Sequence, residues 1–402
     1  MLDRPRLLVL NQYYWPGLEA TAYLLSQLLG ALSDDFDVTV VTGRLAVHAP
    51  RAERVVHEGV KVIRVRSTVF DRSGMLGRAS NYMTYLLQTL RVALFSRRPN
   101  VVLCMTDPPV IGDVALIVAR RFRRPLVVVS QDVFPEIAVE LKRLENRQLI
   151  GMLRVLIGWY LRRADRIVAI GQMMRQRLEE KGARPDRIVV IPNWVDTSAI
   201  KPAPRDNAWA RKHDLVDRFV VMHSGNVGHP QNLDVLIRAT TFLRDLDELA
   251  VVIIGGGARR GELMELADRL ETDAVRFLDY QPRETLSSSL SAAHVHYLGL
   301  GRGLSGYVVP SRLYGILAAG RPVLAAADDE SETAAVVRSV GCGVVVPPSR
   351  PELVAEALRA MVDGRHDLEA MGRLGREYVV AEADRSVAIE RYRRLLLDVA
   401  GG

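Results

Sequence analysis

The chain has 402 residues, 49% of them hydrophobic, 6% aromatic and 25% charged, with a mean hydropathy near zero; this excludes disordered and fibrous classes and calls for two globular domains. Cys104 and Cys342 are the only cysteines, which excludes a disulfide framework or a cysteine metal cluster and points to a reducing compartment. Charge is divided unevenly: residues 1–200 hold 29 Lys and Arg against 19 Asp and Glu, a net +10, and the rest of the chain is −3, so the first half favours anionic partners, with no nucleic-acid module in the pattern.

Arg6–Leu10 is an apolar run too short for a signal peptide, and Ala20–Leu32 repeats apolar residues at helical spacing; strand, loop and helix are predicted. Further strands are expected at Asp37–Thr42, 60–65, 100–105, 125–130, 166–170 and 188–191. Continuous apolar strands alternating with helices predict a parallel sheet covered on both faces. Ligands in such sheets bind at the carboxyl ends of strands, which lines up the loops 13–19, 106–109 and 131–136. Residues 192–204 read as a linker that ends a first domain at residue 199. The pattern then restarts, with strands expected at 219–223, 250–254, Val275–Leu278, 294–298, Val323–Ala326 and Gly343–Val346. The fold class is therefore α/β, with two successive doubly wound, Rossmann-like domains.

Residues 301–323 carry the densest chemistry. Pro310 and Ser311 form a helix start, Gly320 suits a left-handed stop, and Pro322 forbids continuation. A loop with three glycines precedes that start, and Arg302 and Arg312 flank it, an arrangement suited to a diphosphate. Ile254-Gly255-Gly256-Gly257 leads into a helix, but Arg260 stands where a dinucleotide fingerprint needs its third glycine. Gly255 and Gly257 are read either as a turn approaching phosphate or ribose or as close backbone packing. His294 and His296 share a strand face without a carboxylate or thiol at ligand spacing, so no metal is expected. Asp132 is read as a base, or a group orienting an acceptor hydroxyl, or as a helix cap; Glu332 as a ribose ligand or a helix-capping group. The stretches 81–90 and 149–161, flanked by arginines such as Arg78, Arg91 and Arg162, are read either as helices on an anionic membrane surface or as core helices. Neither can span a bilayer.

Taken together, Tyr14-Trp15-Pro16-Gly17, Gln131-Asp132-Val133-Phe134-Pro135-Glu136, Ile191-Pro192-Asn193-Trp194, Ser224-Gly225-Asn226-Val227-Gly228 and Pro310-Ser311-Arg312 with Ala319-Gly320-Arg321-Pro322 resemble the GT-B glycosyltransferases. The likeness is to the retaining family four, and within it to bacterial enzymes adding fucose or N-acetylfucosamine-type sugars in O-antigen, capsule and exopolysaccharide assembly. The resemblance implies a nucleotide-diphosphate sugar, expected to be UDP-linked, bound by a second domain (200–383), and an acceptor bound by the first (1–199), across a central cleft. It also implies a last helix, within 384–402, that crosses back onto the first domain. Carried over, Gly17, Asn226, Gly228, Gly255, Gly257, Arg302, Ser311, Arg312 and Glu332 are expected at the donor, and Tyr14, Trp15, Glu19, Gln131 and Glu136 at the acceptor. Arg312 and Asp132 are the expected catalytic pair. No cofactor or metal is expected; the acceptor is a polyprenyl-diphosphate-linked or other saccharide, and the location cytoplasmic, at or near the inner membrane face. The chain departs from the family where paired glutamates would stand, at Tyr307 and Gly315, has Gln131 in place of a histidine, and lacks a lysine after the Gly-Asn turn. A non-catalytic sugar-nucleotide-binding homologue and an epimerase of the same fold are the alternatives.

Overall fold

A computed structural model describes residues 4–17, 20–44, 53–68 and 75–401. The first unit comprises the chain up to Pro192 together with Ala388 onward. Its sheet contains β1 (Arg6–Leu10), β2 (Asp37–Thr42), β3 (Glu53–His57), β4 (Val60–Arg64), β5 (Val101–Cys104), β6 (Leu126–Ser130), β7 (Arg166–Ala169) and β8 (Ile188–Val190), in the order β3-β4-β2-β1-β5-β6-β7-β8. All pairs are parallel except β3 with β4. Strands β5 and β6 are buried throughout because helices cover both sheet faces, which is why they read as unbroken apolar runs. Strand β3 was not expected from the sequence. It joins β4 through Glu58 and Gly59, both at positive φ (48° and 76°).

The second unit is Asn193–Val387. Its parallel sheet runs β11-β10-β9-β12-β13-β14, where β9 is Phe219–Ser224, β10 Leu249–Ile254, β11 Val275–Leu278, β12 Val295–Gly299, β13 Val323–Ala326 and β14 Gly343–Val346. Chain order reverses across β9 and β12, and at such a switch point the diverging loops open a crevice at the strand ends.

The unit boundaries differ from the expected 199/200 and 383/384. Val195 N–H donates to the Ala383 carbonyl (3.0 Å), Arg385 N–H to the Val195 carbonyl (2.9 Å), and Thr197 Oγ1 to Asp384 (2.5 Å). Arg376 reaches the carbonyls of Thr197 and Ile200, both at 2.9 Å. These bonds fold the apparent linker onto the second unit. The terminal helix Arg385–Gly401 leaves that unit after Val387 and joins the first, where Arg393 Nε meets Asp35 at 2.7 Å. No helix among the described residues is long and apolar enough to cross a membrane.

Candidate active site

In the second unit the turns after β9 and β10 are tied together through their backbones. Gly225 N–H donates to the Ile254 carbonyl, Val227 N–H to that of Gly256 (both 2.9 Å), and Arg259 N–H to that of Val227 (3.1 Å). Gly255 (φ +128°) and Gly257 (φ +153°) are required by this contact: a Cβ would lie 2.0 Å from the Gly225 oxygen and 2.4 Å from the Val227 oxygen, respectively. The close approach served by these glycines is therefore to the neighbouring turn.

Arg312 stands over this pair of turns. Its Cζ is 3.9 Å from where a Cβ would sit on Gly225, and its Nη1 lies 3.1 Å from both ring nitrogens of His223. Among the described residues it pairs with no carboxylate; burial pushes its guanidinium down to about 10, with Tyr280 acting weakly in the other sense. It stays charged at neutral pH. A partly buried cation with no counter-ion, beside backbone turns at a switch point, is a place for an anion.

The other expected donor residues are distributed around this centre. Asn226 is exposed, with Oδ1 beside Gly257. Gly228 N–H is taken by Gln231 Oε1 at 2.9 Å, so it supports the turn rather than offering a free donor. Ser311 is exposed and precedes the helix Arg312–Ala318, but its side chain makes no capping bond, unlike the cap expected. Gly320 takes the left-handed stop (φ 67°). Arg302 is exposed in a loop fastened by Gly303 N–H to Asp328 (2.9 Å) and Gly301 N–H to the Pro230 carbonyl (2.9 Å). Glu332 opens the helix Glu332–Val340, whose cap is Ser331, accepting from Ala334 N–H at 3.2 Å. His294 accepts from Val220 N–H (2.9 Å) and His296 bonds the Leu290 carbonyl (2.9 Å); burial pushes both rings down to about 4, so both are neutral, His296 fully buried and His294 partly so.

In the first unit, Gln131 and Asp132 follow β6 beside the end of β5, with Gln131 N–H on Thr106 Oγ1 at 3.1 Å. Burial, with the Asp107 carboxylate adding to it, pushes Asp132 up to about 7. A carboxyl raised from about 3.9 in the unfolded chain binds its proton more tightly when folded, so its contribution to stability falls as pH rises from 4 to 7. Asp132→Asn is therefore expected to raise the melting temperature relative to the parent at pH 8 and to give little gain at pH 4, read by calorimetry at both; an equal shift at the two would contradict the raised carboxyl.

The structure places the expected acceptor residues in different surroundings. Tyr14 is 1% exposed and belongs to the core, its hydroxyl pushed up to about 12 by burial. Glu136 forms ion pairs with Lys181 (2.6 Å) and Arg154 (3.1 Å); burial alone would raise its carboxyl, but these cations hold it below its ordinary range. It fastens its own helix rather than presenting a free carboxylate. Trp15 is accessible, stacked on His57 at 3.8 Å between ring centroids, and Gly17 closes a turn onto the Tyr14 carbonyl at 2.9 Å. Glu19 lies outside the described residues. His223, Tyr280, Asp107 and Asp328 were missed by sequence reasoning.

A family description, glycosyl transferase 4-like domain, matches residues 17–194, and a second, glycosyl transferases group 1, matches residues 206–378. The chain is a GT-B glycosyltransferase of the family-four type. The Pseudomonas aeruginosa protein named probable glycosyltransferase WbjE is 24% identical to this glycosyltransferase over 96% of both chains. The Escherichia coli protein named putative colanic acid biosynthesis glycosyl transferase WcaI is 27% identical over 60% of this chain and 58% of its own. Among solved structures, Anabaena HepE in complex with UDP and glucose superposes with a TM-score of 0.74 at 16% identity, covering 98% of this chain and 100% of that one. Sucrose-phosphate synthase from Thermosynechococcus elongatus superposes at 0.79 with 16% identity, covering 98% and 99%. The two solved structures share the two Rossmann-like domains.

Proposed function

We propose that this glycosyltransferase moves a sugar from a nucleoside-diphosphate donor, UDP-linked, to a polyprenyl-diphosphate-linked or other saccharide acceptor in cell-surface polysaccharide assembly, with retention at the anomeric carbon. The observation that carries the reading is Arg312, a partly buried guanidinium beside the turn after β9 that pairs with no carboxylate among the described residues. The name of WcaI, a putative colanic acid biosynthesis glycosyl transferase, supports the pathway, and the UDP complex of HepE the donor class.

Breaking the bond between sugar and diphosphate places negative charge on the departing phosphate, and a preorganised cation there lowers the barrier more than a strong base would. In this reading Arg312 supplies that charge without a metal, while Asn226, Ser311 and Arg302 contact the donor and Glu332 its ribose. As the acceptor oxygen bonds the anomeric carbon and the bond from that carbon to the diphosphate oxygen breaks, the hydroxyl proton passes to the Asp132 carboxylate. Asp132, Gln131 and Trp15 orient that acceptor, with Asp132 receptive to a proton near neutral pH. Exposed Met83, Leu87 and Phe95 on or just beyond the helix Met75–Leu94, and Met152 and Val155 on the helix Arg147–Leu161, together with Arg91, Arg97 and Arg154, support peripheral contact with an anionic membrane.

The test is to incubate the protein with UDP-, GDP- and dTDP-sugars and a polyprenyl-diphosphate saccharide. Nucleoside diphosphate release that depends on acceptor, with a retained anomer by NMR, is expected. Donor binding without transfer to any acceptor would favour the non-catalytic alternative.

A further inference from the structure

His223, the next-to-last residue of β9, is fully buried (0% exposed). Arg312 Nη1 is 3.1 Å from Nδ1 and 3.1 Å from Nε2. A nitrogen equidistant from both at that range cannot lie in the ring plane, because there it would overlap Cε1. It lies over the face of the imidazole. Burial first, and Arg312 second, hold this imidazole well below its ordinary range, so the ring is neutral and its face accepts a cation. Nε2 lies 3.3 Å from the Asn226 carbonyl, to which it donates in the tautomer assigned here, and the Tyr297 backbone also bonds the ring. One edge of the ring is thereby tied to the turn after β9 while one face carries the guanidinium.

We infer that His223 is a positioning residue that aims Arg312 at the donor diphosphate. The inference rests on the reading of Arg312 as the group that holds that diphosphate. An arginine with no acidic partner among the described residues has many rotamers open to it, and a flat, immobile, neutral surface beneath it selects one without neutralising its charge. A carboxylate in the same place would fix the side chain equally well but compete with the phosphate for it. The imidazole avoids that competition.

The test is calorimetric titration of the intact chain with UDP and with UMP. His223→Gln keeps an N–H for the Asn226 carbonyl and removes the aromatic face; His223→Phe keeps a face and removes the ring nitrogens. For the Gln variant, UDP affinity is expected to fall about tenfold while UMP affinity is unchanged, and the Phe variant is expected to recover most of the UDP affinity. UDP and UMP weakening in parallel, or wild-type UDP binding by the Gln variant, would overturn the inference. Should the Gln variant not fold, the Phe variant decides alone: UDP affinity near wild type supports the face contact and its loss contradicts it. Titration of Arg312→Ala separates the two levels. Wild-type UDP affinity there removes the reading of Arg312 itself, whereas loss there with none in the Gln variant removes only the positioning role.

Discussion

Arg312→Ala is expected to lower kcat/KM by about a hundredfold to a thousandfold, the range seen when a preorganised charge-stabilising group is deleted, while leaving the melting temperature at or above that of the parent. The two parts of this expectation share one origin. The guanidinium is partly buried and pairs with no carboxylate among the described residues, so its removal leaves no orphaned anion and relieves a desolvated charge. A residue retained at a cost to stability is retained for what it binds. Arg312→Lys keeps the charge but loses the planar fork that matches phosphate oxygens, and its turnover is expected between the two. Near-normal turnover by the alanine variant would remove Arg312 from the mechanism.

Gly255→Ala is expected to destabilise the protein by about 3 kcal/mol or more, the size of effect that accompanies backbone strain combined with overpacking. The added Cβ would stand 2.0 Å from the Gly225 oxygen, at a φ of +128° that L side chains rarely adopt. Because Gly225 N–H bonds the Ile254 carbonyl one residue earlier, the two turns cannot separate without losing that bond. Gly256→Ala is the internal control: its Cβ would meet only the Tyr280 ring, at 3.5 Å, and a small effect is expected. Urea denaturation of both variants checks this, and equal midpoints would contradict the turn-to-turn packing.

Much of the fold was legible because buried parallel strands are apolar on both faces. Leu249–Ile254 and Val323–Ala326 are buried throughout, and such runs stand out without any periodicity argument. Strand β3 was not legible for the complementary reason. It is an edge strand reading Glu-Arg-Val-Val-His, and its two-residue turn uses Glu58 where asparagine or aspartate would have signalled positive φ. The proline-rich segment after residue 192 looked like a linker because its partners, Ala383, Asp384 and Arg376, lie more than 170 residues away. The same distance problem governs the site. Arg312 stands out in the sequence by its glycine-rich approach, but His223 sits in the strand Phe-Val-Val-Met-His-Ser and meets Arg312 across 89 residues. Tyr14 and Glu136 were expected at the acceptor because they neighbour motif residues; the burial of the first and the pairing of the second with Lys181 depend on tertiary contacts that the sequence does not display.

The most direct measurement is a thermal-shift titration of the intact wild-type chain and of Arg312→Ala with UDP, GDP, dTDP and ADP. A ligand that binds only the folded state at about a hundred times its dissociation constant adds about 2.7 kcal/mol of apparent stability. The account predicts a rise of several degrees for the wild type with UDP and a much smaller rise for Arg312→Ala. No shift with any nucleotide on well-folded wild-type protein, or the same shift in both proteins, would contradict a donor diphosphate held by Arg312.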